Sequence, residues 1–175
     1  MRIAKSIEIE APAERVWRII GEEFDRVGEW ATPVPHSAAA ARQPINADAP
    51  VAGRTCETSV AGFPSLNETL TAYDDAQRTL AFEIVEGMPG FVSEARNEWR
   101  IDELGPNRTQ VTLDGRIETR GVGRIMAPIM RFQLNRAIDQ TVEDLQVYAA
   151  TGEVSARKRR SLEKHGEPAP TPAGA

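Results

Sequence analysis

Residues 66–84 read Leu-Asn-Glu-Thr-Leu-Thr-Ala-Tyr-Asp-Asp-Ala-Gln-Arg-Thr-Leu-Ala-Phe-Glu-Ile. Leu66, Glu68, Leu70 and Ala72 share one parity, and Leu80, Phe82 and Ile84 continue it beyond the turn residues Asp74 and Asp75. Alternation of this kind marks two half-buried strands of a hairpin. Pairing them symmetrically about Ala76 sets Leu70 opposite Phe82 and Glu68 opposite Ile84. One carboxylate, Glu68, then stands on an otherwise apolar face, where it needs a partner, water or a ligand.

The same rhythm extends outward. Strands are predicted near 54–60, 66–73, 79–85, 91–101 and 109–118, separated by Gly62-Phe63-Pro64, Asp74-Asp75, Gly87-Met88-Pro89-Gly90 and Gly105-Pro106-Asn107. Separators this short make consecutive strands antiparallel neighbours. About the Gly105 turn, Trp99 faces Leu113 and Asn97 faces Gly115. The inner surface therefore gathers Thr58, Glu68, Leu70, Phe82, Ile84, Phe91, Ser93, Asn97, Trp99 and Leu113, while Thr69, Thr71, Glu83, Glu94, Arg96, Glu98 and Arg100 take the solvated face.

Upstream, Ile3, Ile7 and Ile9 alternate with polar residues as a first strand. Pro12 suits the first turn of a short helix carrying Val16, Trp17, Ile19 and Ile20, which should end near Gly21. A second helical piece follows over 22–27, then Trp30 and the extended connector Thr32-Pro33-Val34-Pro35. Residues 38–48 suit an edge strand or a loop equally well. Downstream, Met126, Ile129, Met130, Leu134, Ile138, Val142, Leu145 and Tyr148 recur at helical spacing, predicting a long amphipathic helix from Arg124 or Ala127 to Ala150, with Glu143 and Asp144 on its polar side. Its apolar stripe needs the concave face of the sheet for burial. Residues 1–150 thus form one domain, and 151–175, rich in Pro, Ala and charge, read as a disordered polar and basic tail.

The expected fold class is α+β: a curved antiparallel sheet of about six or seven strands wrapped around a long C-terminal helix, with two short helices after the first strand. In this order, the residues Ala11-Pro12-Ala13-Glu14-Arg15-Val16-Trp17, Trp30, Gly53 and the run from Gly62-Phe63-Pro64 through Ile84 resemble the START-like, Bet v 1-like helix-grip superfamily, particularly its bacterial polyketide cyclase/dehydrase and lipid-transport-like group. The resemblance spans about Ile3 to Ala150 and implies a cavity for a hydrophobic molecule. The stretch Gly62–Asp75 is also similar to plant abscisic-acid receptors of that superfamily. There the loop matching Gly62-Phe63-Pro64 closes over ligand, and the carboxylate matching Glu68 reaches the polar end of the pocket. Gly87-Met88-Pro89-Gly90 lacks the receptors' histidine-containing latch. Phe63 and the Met88/Pro89 loop are accordingly expected to cover one pocket mouth, with Gly62 permitting the unusual backbone angles of a closing loop.

Trp30, Thr58, Phe63, Glu68, Phe82, Phe91, Ser93, Asn97, Trp99, Met126 and Met130 are the candidate ligand-binding residues. Glu68 has three readings: recognition of a ligand's polar end, structural pairing with an arginine such as Arg54, or proton exchange as a catalytic group with Asn97 and Ser93 orienting a carbonyl. Asn97 wants hydrogen bonds from a structural network or from ligand. The aromatic candidates fit a core equally well. Binding of a small, mostly hydrophobic organic ligand is the leading expectation. A polyketide cyclase or dehydratase, and a structural or protein-interaction module with a filled core, are the alternatives.

Other chemistries find little support. His36, His165 and Cys56 are too scattered for a metal site or a cysteine-histidine nucleophile, so neither metal nor cofactor is expected. Gly121-Val122-Gly123-Arg124 lacks the spacing and context of a dinucleotide fingerprint. A formal charge of −5 and a pI near 5.2 argue against a general nucleic-acid or anionic-membrane surface, and the basic run Arg157-Lys158-Arg159-Arg160 reads as solvated tail. A lone cysteine, no export signal and no spanning apolar segment lead to the expectation of a soluble cytoplasmic protein without stable membrane insertion.

Overall fold

The computed structural model describes residues 1–165. Seven strands, β1 (Arg2–Ile9), β2 (His36–Ala39), β3 (Gly53–Glu57), β4 (Ser65–Asp74), β5 (Thr79–Glu86), β6 (Val92–Gly105) and β7 (Arg108–Thr119), form one antiparallel sheet in the order β1-β7-β6-β5-β4-β3-β2. After β1 come the short helix α1 (Ala13–Trp17), a π-helical turn over Arg18–Glu22, a 3-10 turn over Phe24–Arg26, and α2 (Val27–Trp30). The long helix α3 (Gly123–Thr151) runs along the concave face, and α4 (Ala156–His165) follows it. This is the helix-grip fold. The undecided stretch 38–48 contributes only the end of β2 and otherwise forms loop. No described helix is long and apolar enough to cross a membrane.

The predicted registers hold: Leu70 pairs Phe82, Glu68 pairs Ile84, Asn97 pairs Gly115 and Trp99 pairs Leu113. Two of the four register shifts in the β4–β5 and β6–β7 pairs reverse the side expected of a residue. Between Leu70 and Ala72 one extra residue shifts the parity of β4, so that Tyr73 turns inward and Ala72 outward. Between Val92 and Glu94 a second irregularity leaves Ser93 exposed, against the expectation that it faces inward.

One end of the concavity is filled. Ile9, Val16, Val111 and Leu145 are fully buried there, and Trp17 lies 5.2 Å from Tyr73 between ring centroids while donating its indole N–H to Asp75 Oδ1 at 2.7 Å. Each such aliphatic side chain contributes about 1.5–3 kcal/mol on burial, so this end anchors α3. The opposite end carries the loops 58–64, 87–91 and 119–123. There Gly87, at φ +91°, lies so close to Ser65 that a Cβ would stand 1.9 Å from the Ser65 carbonyl oxygen. That contact clamps two neighbouring loops together, and only glycine permits it.

The apolar stripe of α3 is buried only in part. Val142 and Leu145 pack as expected, as does Met130, but Met126 and Ile129 stand exposed because the helix's first turns project beyond the core.

The C-terminal segment departs most from the sequence reading. It leaves α3 at Gly152, whose φ of +79° ends the helix while its N–H bonds Tyr148 O at 2.9 Å, and then folds as α4 instead of trailing as solvated tail. Asp144, expected on the polar side of α3, is fully buried: it accepts hydrogen bonds from the Thr32 N–H at 2.7 Å, Ser155 Oγ at 2.5 Å and Arg157 at 3.3 Å. Lys158, also fully buried, donates its ammonium to the carbonyls of Ala31 and Val34 at 3.2 and 2.9 Å. Buried polar partners repay the cost of leaving water, which a scan for hydrophobic periodicity does not register. The remainder of the predicted tail, 166–175, lies outside the described residues.

Burial pushes the Lys158 ammonium down to about 8, against the pull of Asp144 and Glu29. An unfolded lysine keeps its proton to about pH 10.4. Between those values the unfolded chain binds more protons than the native one, so stability should rise with pH across that window. Urea titrations at pH about 7 and about 9.5 should show a gain on the order of 2 kcal/mol that Lys158→Met abolishes.

Candidate functional site

The unfilled end of the concavity encloses a cavity of about 190 Å³. Its walls come from every layer of the fold. The short helices and connector supply Ile19, Ile20, Phe24, Val27, Trp30, Pro33 and Val34; the sheet supplies Leu66, Phe82, Ala95, Trp99, Leu113 and Ile117; α3 closes it with Leu134, Ala137, Ile138 and Thr141. Phe63 and Met88 line it at the loop end.

Of the residues expected at the site, Trp30, Thr58, Phe63, Glu68, Phe82, Asn97 and Trp99 line this cavity. Phe91, Ser93, Met126 and Met130 do not. Phe91 is drawn aside to the start of α3, where its carbonyl accepts the Arg120 N–H at 2.7 Å. Ser93 is lost to its bulge. Met126 is exposed, and Met130 packs outside the lining.

Few polar side chains reach the cavity: Arg54, Thr58, Glu68, Asn97 and Thr141. Arg54 and Glu68 are direct cross-strand partners of β3 and β4, so strand register alone brings them together. Arg54 Nε lies 2.5 Å from Glu68 Oε2, and its Nη1 donates to Phe24 O at 2.7 Å. The guanidinium sits 4.0 Å over the Phe24 ring and 5.2 Å from that of Phe82, adding cation–π attraction in a dry setting. Burial is the largest single influence and works to lower the pKa of Arg54, but the charge and hydrogen bond of Glu68 together with Cys56 and Asp25 outweigh it and hold the value above that of an ordinary arginine.

Glu68 therefore has its charge partner in Arg54, the pairing that is one of its three readings from the sequence. Arg54 shares strand parity with Thr58, and that parity was the available signal for its place on the cavity wall. Beside the pair, burial first and the Glu68 charge second push the Cys56 thiol up to about 12, which keeps it protonated near neutral pH and inert as a nucleophile.

Thr58 spends its hydroxyl locally, donating to the Phe63 carbonyl and accepting the Val60 N–H at 3.1 Å. It shapes the loop that carries Phe63 into the wall. The Asn97 amide differs: it lies across Gly115, half-buried on the cavity wall, with no hydrogen-bond partner among the described residues. Among those residues no group of three or more His, Cys, Asp or Glu could hold a metal ion. Chemically, the site is an apolar chamber with a neutralised ion pair in one wall and one free amide in another.

The sequence matches, over residues 1–150, the family model described as polyketide cyclase/dehydrase and lipid transport. No curated protein matches the chain by sequence. Among solved structures, a START superfamily protein from Mycobacterium smegmatis is similar at TM-score 0.67, with 17% identity over 87% of this chain and 99% of that one. The Zhui aromatase/cyclase from Streptomyces sp. R1128 is similar at TM-score 0.64, with 19% identity over 95% of this chain and 98% of that one. Ginseng major latex-like protein 151 from Panax ginseng gives TM-score 0.65, with 11% identity over 85% of this chain and 97% of that one.

Proposed function

The chain belongs to the polyketide cyclase/dehydrase and lipid-transport family, and from that premise we propose that it binds a small hydrophobic molecule, a single ring or a short chain bearing one carbonyl or hydroxyl group, in the cavity between the sheet and α3. The observation that carries this reading is the size and polarity of the chamber: about 190 Å³, almost wholly apolar, with the unpartnered Asn97 amide in its wall. An apolar cavity of about 150 Å³ accommodates benzene, so this one suits about eight heavy atoms, whereas drug-sized ligands take pockets of roughly 300 Å³ and more. A ligand carbonyl would accept from the Asn97 N–H, and a hydroxyl would donate to its oxygen.

Binding is favoured over turnover because Glu68 is already engaged by Arg54 and the hydroxyls of Thr58 and Thr141 donate to Phe63 O and Ala137 O, leaving the Asn97 amide and the Trp30 indole N–H as the unpaired polar groups of the wall. The catalytic roles considered for Glu68 and Asn97 lack a free general base at the cavity wall.

Ligand-observed NMR with phenols, aryl ketones and short fatty acids, set against two- and three-ring analogues, tests the reading. Single-ring and short-chain compounds should bind, and Ala137→Phe, which projects a ring into the chamber from α3, should weaken them by roughly tenfold or more while leaving circular dichroism unchanged. Preference for multi-ring compounds, or binding that survives Ala137→Phe, would count against the proposed chamber.

A further inference from the structure

Val122, Ile125, Met126, Ile129 and Phe132 are all exposed at the start of α3, Ile125 and Phe132 by 80% and 70%. At 100° per residue they fall within an arc of about 120° on one side of the helix. Leu134, Ala137, Ile138 and Thr141 occupy the neighbouring arc and face the cavity. This part of α3 is thus apolar on two adjacent faces and has covered only one. A contiguous exposed patch of this kind on an otherwise well-packed domain marks an interaction surface.

Charge narrows the choice of partner. Residues 119–138 contain four arginines, Arg120, Arg124, Arg131 and Arg136, and no Asp or Glu, although the chain as a whole carries −5. Arg120, Arg131 and Arg136 are exposed, and among the described residues none of the three sits in an ion pair. Arg136 continues the apolar arc one turn on, Arg120 stands just before the helix begins, and Arg131 lies on the opposite side of the helix. Apolar groups at the tip, with the unpaired guanidinium of Arg136 in the same arc and that of Arg120 just before the helix, match a bilayer surface whose headgroups are anionic, the apolar side chains entering the acyl boundary and the arginines meeting phosphates. An acidic protein that concentrates positive charge at one apolar spot is electrostatically oriented toward such a surface.

We infer that the first three turns of α3 dock this protein reversibly on anionic lipid bilayers. The cavity, lined by Met88 and Leu134 at the same end of the sheet, would then face the membrane through the loop cluster. The inference rests on the helix surface alone and stands apart from the identity of the cavity's ligand.

Flotation of the full chain with vesicles of phosphatidylcholine and phosphatidylglycerol in equal parts, against pure phosphatidylcholine vesicles, is the test. Binding is expected on the mixed vesicles at low salt, should be roughly tenfold or more weaker on the neutral ones, and should fall steeply as salt rises. Ile125→Glu with Phe132→Glu should lower partitioning by at least roughly tenfold without altering the far-ultraviolet spectrum. Arg120→Gln with Arg136→Gln, both at exposed positions, should weaken it independently and serves if the first pair misfolds. No binding to mixed vesicles at low salt would overturn the inference. So would a concentration-dependent dimer in sedimentation velocity that Phe132→Glu dissolves while vesicles take up no protein, since the patch would then be a contact between two copies.

Discussion

Arg54→Met is expected to destabilise the protein by about 3–5 kcal/mol at neutral pH, a large share of the roughly 5–15 kcal/mol that holds a domain together. The substitution strands the Glu68 carboxylate in an apolar wall, leaves Phe24 O without its donor, and removes the guanidinium from between the Phe24 and Phe82 rings. Urea unfolding would measure the loss. Mild acid should recover part of it, because protonation removes the stranded charge. The double variant Arg54→Met with Glu68→Leu should be markedly more stable than Arg54→Met alone, since replacing both members of a buried pair avoids the uncompensated charge. If Arg54→Met unfolds at an unchanged urea midpoint, the pair carries no structural weight and both groups are free to serve a ligand.

Ending the chain at Gly152 should cost about 2–4 kcal/mol and loosen one wall of the cavity. Without α4, Asp144 loses Ser155 and Arg157, and the carbonyls of Ala31 and Val34 lose Lys158. Those carbonyls flank Pro33 and Val34, which line the chamber. A fall in the urea midpoint should therefore accompany faster hydrogen exchange at the Val34 N–H, which bonds Ala31 O at 3.2 Å in the intact fold. Unchanged stability and exchange would return the domain boundary to about residue 150, the position that hydrophobic periodicity alone suggests.

These two expectations rest on parts of the molecule that differ in how legible they are in the sequence. Strand alternation and short turn-rich separators carry enough information to place Glu68 opposite Ile84 and Asn97 opposite Gly115, because a register slip of one residue would turn a whole strand inside out. The same logic puts Phe82, Trp99 and Asn97 on one wall of the cavity. It fails at Ser93 and Ala72, where bulges insert a residue and reverse the parity that pattern reading assumes. It fails again at Asp144 and Lys158, because a charged residue looks solvated until its partners are known, and those partners lie far away along the chain.

The sequence by itself determined the sheet, its order of hairpins, the long helix and the apolar character of the surface between them, since all of these follow from periodicities of two and 3.6 residues that local chemistry imposes. Tertiary structure alone decided that Arg54 neutralises Glu68 within the cavity wall, that the chamber is confined to one end of the concavity, that α4 is tied down through Lys158 and Asp144, and that the first turns of α3 keep their apolar face uncovered. Each of these depends on which distant groups meet and how far the helix extends beyond the core. Desolvation and pairing are properties of such three-dimensional neighbourhoods, and they leave no periodic trace along the chain.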